Sequence, residues 1–408
     1  MRLDRLVPLV ILAALGAPGR AAAQVLPERP LTLANGQVSV SGEVTASIGP
    51  RSDPGFFDYT DYEHNALRML RLSLSGRWRP SARLAVLAEV RTENLERPTP
   101  YALFVRVRPW KAKAFDIQAG RIPAVFGTFS RHAYGADNAL IGYPLAYQYL
   151  TSLRADAIPR TADDLLIMRG RGWHDTFPLG STAATTGQPV ISAYRWDTGV
   201  EARVEKGPIE AAAALTTGTL SNPRVGDDNA GRQLSARVAW RPFVGAIVGV
   251  SAAHGEWLAG NIKNRLSMAL QDRSYPQTAY GLDAEYSRGY FLARGEVIAS
   301  RWTLPPLDAP QIDAPLSAMA SYVEARYRLT PRFFVSGRAD HLGFSDITGH
   351  LNNNLPTPWD YPVSRVEAGG GIYLQRNLVM RAVVQRNWRD GGRVREATFV
   401  SGQVSYWF

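Results

Sequence analysis

The chain has 408 residues, a net charge of +10 at pH 7, 45% hydrophobic residues and no cysteine. The lack of cysteine excludes disulfides, thiolate metal sites and a cysteine nucleophile, so the fold must depend on burial and backbone pairing. The positive charge is spread along the chain without a basic tail, and it gives no reason to expect a nucleic-acid partner.

Residues 1–23 have the pattern of a secretory signal peptide. Two arginines precede an apolar run at 6–15, and three alanines at 21–23 fit a small-residue cleavage site. The apolar run is too short for a transmembrane helix, which needs about 20 residues. We therefore predict export and a short periplasmic segment at 24–35. The remaining chain contains no apolar run long enough to span a bilayer as a helix.

From residue 36 to residue 408 the chain repeats a two-residue alternation of apolar and polar side chains. In Leu70–Trp78, the leucines and Trp78 share one face, while Arg71 and Arg77 share the other. Such alternation is typical of strands with one apolar and one polar face. Sixteen strands are predicted, at 37–48, 70–78, 83–93, 101–108, 114–122, 195–206, 208–219, 231–241, 243–254, 278–287, 289–301, 316–329, 331–344, 362–375, 377–389 and 395–408.

The connections between these strands alternate between short turns and longer polar loops. The turns contain glycine or proline, as in Arg79-Pro-Ser and Lys206-Gly-Pro, whereas the longest loop covers 123–190. Short turns at one end and long loops at the other are typical of outer-membrane β-barrels, in which an even strand number places both chain ends in the periplasm.

Aromatic residues and the last strand also favour a membrane barrel. Two aromatic rows are predicted on the apolar face, one beside the turns at Trp78, Trp240, Tyr327 and Phe333, and one beside the loops at Tyr101, Trp196, Tyr280 and Trp388. Such rows are typical of the two bilayer interfaces. The last strand alternates up to Phe408, and it must pair with the first, because an open edge in hydrocarbon leaves backbone groups unpaired. A soluble β-sandwich or propeller is the alternative.

The predicted fold class is all-β, a transmembrane antiparallel β-barrel of about 16 strands with short periplasmic turns and long extracellular loops. Its signal peptide, strand pattern and final aromatic residue resemble those of bacterial outer-membrane porins. The segment Ile117–Gly127, IQAGRIPAVFG, is similar to the Gly-Arg/Lys…Phe-Gly segment of phosphate-selective-porin-like proteins. The resemblance implies the outer membrane of a diderm bacterium and homotrimers as the usual porin assembly. It does not define a solute.

A barrel of this width leaves an aqueous lumen, so the inward-facing side chains are candidates for a pore lining. Two interpretations stay open: an ion-paired wall that stiffens the barrel, or an arginine ladder that favours anions. The candidate lining residues are Arg71, Arg91, Arg106, Arg326, Arg338, Arg365, Arg381, Glu89, Glu324 and Glu367 on strands, and Arg121, Arg131, Arg154 and Arg160 in or beside the longest loop.

The longest loop, 123–190, is expected to fold rather than to remain an extended connection. It is apolar and aromatic at 140–153, and Thr161 begins a predicted helix with acidic residues in its first turn. This is the third outer loop, and the resemblance to porins implies that it enters the channel as a constriction. A cap over the barrel mouth and a trimer contact are the alternatives.

The predicted function is passive diffusion of small hydrophilic solutes through an outer-membrane channel with a weak preference for anions. Outer-membrane lipid is the expected surrounding, and no cofactor, metal or chemical step is expected. The six histidines are scattered, and no local motif supports a hydrolase built on His254 or His341. The contrasting hypothesis is a structural or adhesive barrel that is closed by its loops and binds a surface or envelope partner.

Overall fold

The computed structural model describes residues 27–51, 57–60, 63–110 and 114–408. Within these ranges sixteen antiparallel strands form one closed barrel, as predicted. They are β1 Val38–Ile48, β2 Leu70–Trp78, β3 Leu84–Glu93, β4 Thr99–Val107, β5 Ala114–Ile122, β6 Asp197–Lys206, β7 Ile209–Thr216, β8 Gln233–Trp240, β9 Ala246–Glu256, β10 Pro276–Arg288, β11 Phe291–Trp302, β12 Leu316–Arg328, β13 Phe333–Phe344, β14 Val363–Gln375, β15 Leu378–Arg389 and β16 Glu396–Trp407. The predicted signal peptide, 1–23, lies outside the described residues, as do residues 24–26.

The two ends of the barrel differ in their connections. At the turn end, strands are joined by short turns such as 207–208, 289–290 and 376–377. The loop end carries helices α1 Leu145–Gln148, α2 Ala162–Met168, α3 Gly260–Lys263 and α4 Met268–Gln271, the 3-10 helices Phe129–His132 and His350–Asn352, and the short strand pairs Ala157–Ile158 with Leu179–Gly180 and Asp346–Ile347 with Thr357–Pro358. No helix in the described ranges could cross a membrane.

The outer face of the barrel is an apolar band. Val200, Leu215, Val250, Val323 and Val400 on five different strands are 49–69% exposed, while their strand neighbours point inward. A β-sheet that crosses a bilayer needs such an apolar outer face and a hydrogen-bonded partner on both edges of every strand.

The aromatic row beside the turns lies on this outer face. Trp78, Trp240, Tyr327 and Phe333 are each about half exposed, at 49%, 53%, 47% and 49%. Rings in this position can rest at the lipid–water interface of the periplasmic side.

The prediction that Tyr101 and Trp196 also face lipid is wrong. The pairing of β3 with β4 shifts by one residue next to Glu89, a β-bulge that turns the Tyr101 ring inward, where it is only 3% exposed. Trp196 also lies on the inner side, and its ring packs on the Tyr101 ring with a centroid distance of 5.0 Å. An inserted residue moves the side chains beyond it to the opposite face of the sheet. The apolar and polar alternation of the sequence therefore no longer predicts which side each of them faces.

The barrel closes where β1 pairs with β16. Glu43–Ile48 pair with Gly402–Trp407 in antiparallel register. Phe408 then exchanges two backbone hydrogen bonds with Gly42, at 3.0 and 3.2 Å. The short strand Leu31–Leu33 pairs with the beginning of β1 and continues the seam beyond the end of β16. The last strand, with its alternating side chains, is therefore held as a wall strand up to its final residues.

Gly42→Val should impair closure of the seam. A Cβ at Gly42 would lie 2.7 Å from the Phe408 ring, so the ring would have to leave its place beside β1. Gly76→Val is the matched control, since Gly76 has the same outward orientation on β2 and no atom within 4 Å of an added Cβ. Refolding yield in detergent, read from the mobility difference between heated and unheated samples, should fall for Gly42→Val alone. Equal yields for both variants would contradict this role of the seam.

Candidate functional site

The long loop packs against the inner face of the wall. Phe126, Phe129 and Tyr147 from the loop are at most 1% exposed and belong to one hydrophobic cluster that also contains wall residues. Its wall members are mostly small or branched side chains, among them Ala253, Ala279, Ile298, Ala318, Ala320 and Leu342. The alanines leave space that the loop side chains fill. The loop-end part of the lumen is therefore a packed core beside β9 to β13.

Glu296 of β11 anchors the start of the loop. Its carboxylate accepts hydrogen bonds from the backbone N–H groups of Thr128 and Phe129 and, at 2.6 Å, from the Tyr147 hydroxyl. A buried carboxylate of this kind satisfies two backbone donors that would otherwise lie unpaired inside the barrel.

Two further carboxylates of the wall have the same role. Glu367 accepts from the backbone N–H groups of 141–142 at 3.1 and 3.0 Å. Glu43 accepts from those of 135–136 at 2.8 and 3.3 Å. The three carboxylates stand on β1, β11 and β14, so the loop is held from separate sides of the lumen.

Arginines of the wall bind the carbonyl groups of the loops. Arg365 donates to Tyr143 O at 3.0 Å and to Phe57 O at 2.8 Å. Arg381 donates to Gly135 O at 2.6 Å. Guanidinium groups with several fixed donors can satisfy carbonyl groups from two loops at once. The wall charges thus complete the backbone hydrogen bonding of a loop that has left water.

A row of alternating charges crosses the wall beneath the loop. Glu324 on β12 lies between Arg294 on β11, at 2.6 Å, and Arg338 on β13, at 3.1 Å. Arg338 also pairs with Glu367 on β14 at 2.7 Å. These residues face one another directly in the strand register. At this level the geometry matches the interpretation of an ion-paired wall.

The predicted lining residues occupy different environments. Eight of them are buried under the loop or within the ion pairs, each at most 7% exposed: Arg71, Arg91, Arg338, Arg365, Arg381, Glu89, Glu324 and Glu367. Arg71 is held there by Glu93 at 2.7 Å and by the Tyr143 hydroxyl at 2.8 Å. Arg326 and Arg106 are half-buried on the inner face toward the turn end.

Three predicted lining residues are not part of the inner wall. Arg121 is the register partner of the exposed Leu103, so it points outward, where it donates to Trp196 O. Arg154 is 2% exposed inside the loop and donates to two loop carbonyl groups at 2.7 Å. Arg160 pairs with Asp308 at 3.0 Å, and both side chains are more than half exposed. The side chain of Arg131 lies outside the described part of the structure.

The loop reaches the opposite wall at a contact that we name the loop–wall junction, formed by Glu89, Arg91, Tyr101 and Tyr134. The Arg91 guanidinium lies over the Tyr101 ring at 3.5 Å and over the Tyr134 ring at 5.3 Å. Glu89 accepts from Arg91 at 3.1 Å and from the Tyr134 hydroxyl at 2.8 Å. Burial raises the pKa of Tyr134, which keeps this hydroxyl protonated as a donor.

A cavity of about 340 Å³, the lumenal cavity, lies on the turn side of this junction. It is lined by Pro30, Ser39, Ser41, Ser75, Gly76, Arg77, Leu87, Ala88, Glu89, Ala102, Phe104, Tyr134 and Trp196. Most of these side chains come from two register rows of β1 to β4. The cavity is a part of the lumen beside these strands that the loop does not fill.

The turn end of the lumenal cavity is positively charged. Arg77 is exposed there, and the charges of Arg77, Arg79 and Arg108 act on Arg106 in the same neighbourhood. Asp116 belongs to this group, but Arg108 binds both of its carboxylate oxygens, at 2.9 and 2.8 Å. A net cationic field therefore remains beside Arg77 and Arg106.

Sequence reasoning did not identify the loop anchors or the loop–wall junction. One signal was available: Ala253, Ala279, Ala318 and Ala320 alternate onto the inner face, and such small apolar residues are poor candidates for a water-filled lining. They indicate that another part of the chain packs on the wall.

Comparisons with known proteins identify the fold. No family model and no curated protein sequence matches the chain. Among solved structures it is similar to Salmonella typhi OmpF in complex with daunomycin (TM-score 0.56, 10% identity, 93% of this chain and 100% of that one). It is also similar to OmpT of Vibrio cholerae (TM-score 0.53, 12% identity, 93% of this chain and 100% of that one). A third similar structure is an anion-selective porin from Comamonas acidovorans (TM-score 0.52, 11% identity, 91% of this chain and 99% of that one). The chain has a general 16-stranded porin fold, and with its apolar band it is an outer-membrane barrel.

Glu296→Ala should release the start of the long loop. The change leaves two backbone N–H groups and the Tyr147 hydroxyl without their acceptor, at about 1–3 kcal/mol for each buried group. Hydrogen exchange of residues 127–148 should become faster, while the wall strands keep their protection. Glu205→Ala is the control, since Glu205 binds Arg241 at the turn end. Unchanged protection at Thr128 and Phe129 would contradict the anchor.

Asp175 should make the loop less stable as the pH rises. Asp175 is fully buried in the loop, and this burial raises its pKa to about 9 against the opposing charge of Arg154. The unfolded loop would lose this proton near pH 4, so loop stability should decrease between about pH 4 and pH 9. Asp175→Asn should remove this decrease in exchange protection factors over residues 150–190.

The control for this variant is Asp156→Asn. The Asp156 side chain is 47% exposed and binds Arg154 at 2.9 Å, so it shares the neighbourhood without the burial. Protection that does not change with pH in the wild-type loop, or a pH dependence that survives in Asp175→Asn, would show that Asp175 is not the responsible group.

Proposed function

We propose that this protein is a passive diffusion channel for small hydrophilic solutes, with a preference for anions and without a chemical step. The observation that carries the proposal is the lumenal cavity: polar wall side chains border a space beside β1 to β4 that the loop leaves open. In a barrel of 16 strands the wall alone cannot fill the lumen. Solutes therefore pass where loop packing is incomplete.

The long loop, 123–190, is the constriction of this channel. Its core packs beside β9 to β13, and it meets β3 and β4 at the loop–wall junction. The narrow point lies beside this junction, where Tyr134 of the loop and Glu89 of the wall border the lumenal cavity. The side chains that limit solute size there are hydrogen-bonded to one another and are therefore not mobile.

The preference for anions arises at the turn end. Arg77 borders the lumenal cavity and Arg106 is half-buried near it, while Asp116 is occupied by Arg108. Arginine-lined pores favour anions because the field raises their local concentration and lowers the barrier to entry. The buried arginines under the loop contribute less, because carboxylates and carbonyl groups already bind them.

The chain is exported by the signal peptide at 1–23 and assembles as a homotrimer in the outer membrane. A solved structure of Vibrio cholerae OmpT, 12% identical with a TM-score of 0.51, is described as a trimer form. No cofactor is part of the proposal.

The second candidate function is a structural or adhesive barrel that conducts nothing. The hydrophobic cluster inside the lumen favours it, since Phe126, Phe129 and Tyr147 fill space that an open pore would leave to water. Single-channel recording in planar bilayers separates the two functions. Discrete conductance steps would support the channel. Correctly folded protein that shows no conductance steps would contradict the channel and favour the structural or adhesive barrel.

The double variant Arg77→Gln/Arg106→Gln should lose its preference for anions. Removing two positive charges from the turn end weakens the cationic field, so the reversal potential in a KCl gradient should shift toward the potassium side. Arg386→Gln is the control, because Arg386 binds Glu396 and Thr398 on the outer rim. The same reversal potential in the double variant and in wild type would contradict the assignment of selectivity to this cluster.

A further inference from the structure

The lumenal cavity has a cationic end and an aromatic side. Arg77 borders the cavity from β2, is exposed, and forms no ion pair among the described residues. Leu87 is its register partner on β3, and Phe104 is the partner of Leu87 on β4. One row of the wall thus presents a guanidinium and an apolar surface within two strand spacings, about 10 Å.

The aromatic side is held rigidly. Trp196 packs on Phe104 with a centroid distance of 6.4 Å and on Tyr101 at 5.0 Å. Tyr101 is fixed in turn by its hydrogen bond to Ala193 O at 3.1 Å. A planar ligand would therefore meet a preformed ring surface, which reduces the conformational cost of binding.

Among the described residues, the loop end of the cavity has no cation that could bind an anionic ligand. Glu89 borders it and is held by Arg91 and Tyr134. A ligand with one carboxylate can direct that group toward Arg77 and away from Glu89. A second carboxylate at the far end of the ligand would face the paired Glu89 and would lose water without gaining a cation, which would disfavour it.

We infer that the lumenal cavity is a binding site for aromatic monocarboxylates, with the carboxylate on Arg77 and the ring against Phe104 and Trp196. The inference rests on the proposed channel and names the solute class that its turn-end cavity retains. The volume of about 340 Å³ is at the lower end of the range for small-molecule sites and suits a single substituted ring. Ser39, Ser41 and Ser75 add hydroxyl groups that can bind polar ring substituents.

Equilibrium binding to the full chain in detergent, measured by calorimetry, tests this site without relying on conductance. Benzoate should bind about tenfold more tightly than acetate, which lacks the ring, and than benzyl alcohol, which lacks the charge. Terephthalate should bind more weakly than benzoate. Benzoate that binds no better than acetate would overturn the inference.

Two variants identify the contacts. Arg77→Gln should weaken benzoate binding about tenfold, the loss expected for one charge-assisted hydrogen bond, and leave benzyl alcohol unchanged. Phe104→Leu should weaken benzoate but not acetate. Arg386→Gln on the outer rim is the control. Should Arg77→Gln fail to fold, Arg77→Lys should give an intermediate affinity, because lysine keeps the charge without the guanidinium fork. Wild-type affinity in a folded Arg77 variant would overturn the assignment.

Planar-bilayer recordings of the same samples separate this inference from the proposed function. If the protein conducts but benzoate blocks the current at no lower concentration than acetate does, the inferred binding site is wrong and the proposed channel stands. If the protein binds benzoate selectively but never conducts, the proposed channel is wrong and the inferred binding site stands.

Discussion

Backbone pairing in hydrocarbon is the constraint from which the rest of the structure follows. A strand in the bilayer must bond on both edges, so the sheet can end only by returning to its first strand. The seam of β1 and β16 satisfies this condition, and Gly42 makes room for Phe408 where the pairing ends. Closure with sixteen strands creates a lumen wider than wall side chains can fill. The protein fills part of that lumen with its own loop.

The charges of the inner wall are explained mainly by this occupied lumen. A loop inside the barrel loses water, and its N–H and C=O groups need partners. Glu43, Glu296 and Glu367 supply acceptors, while Arg365 and Arg381 supply donors. Wall charge is therefore used to hold the loop. Exposed charge then remains at the turn end, as at Arg77.

Much of the wall could be predicted from the sequence, because strand alternation and turn residues are local signals. The two-residue turn at 289–290 also determines which charges meet, since it sets Glu285 opposite Arg294. The loop core could not be predicted, because alternation says nothing about what an inward alanine contacts. The bulge that turns Tyr101 inward was equally invisible, and the loop–wall junction depends on it.

The position of the long loop inside the wall is tested most directly by a disulfide in a chain that has no cysteine of its own. A Cβ at Gly135 of the loop would touch the Thr45 hydroxyl of β1. The double variant Thr45→Cys/Gly135→Cys, oxidised in the membrane, should form an intramolecular disulfide that mass spectrometry of the linked peptides detects. Two free thiols that remain reactive with a reagent added from outside would contradict a loop held in the lumen.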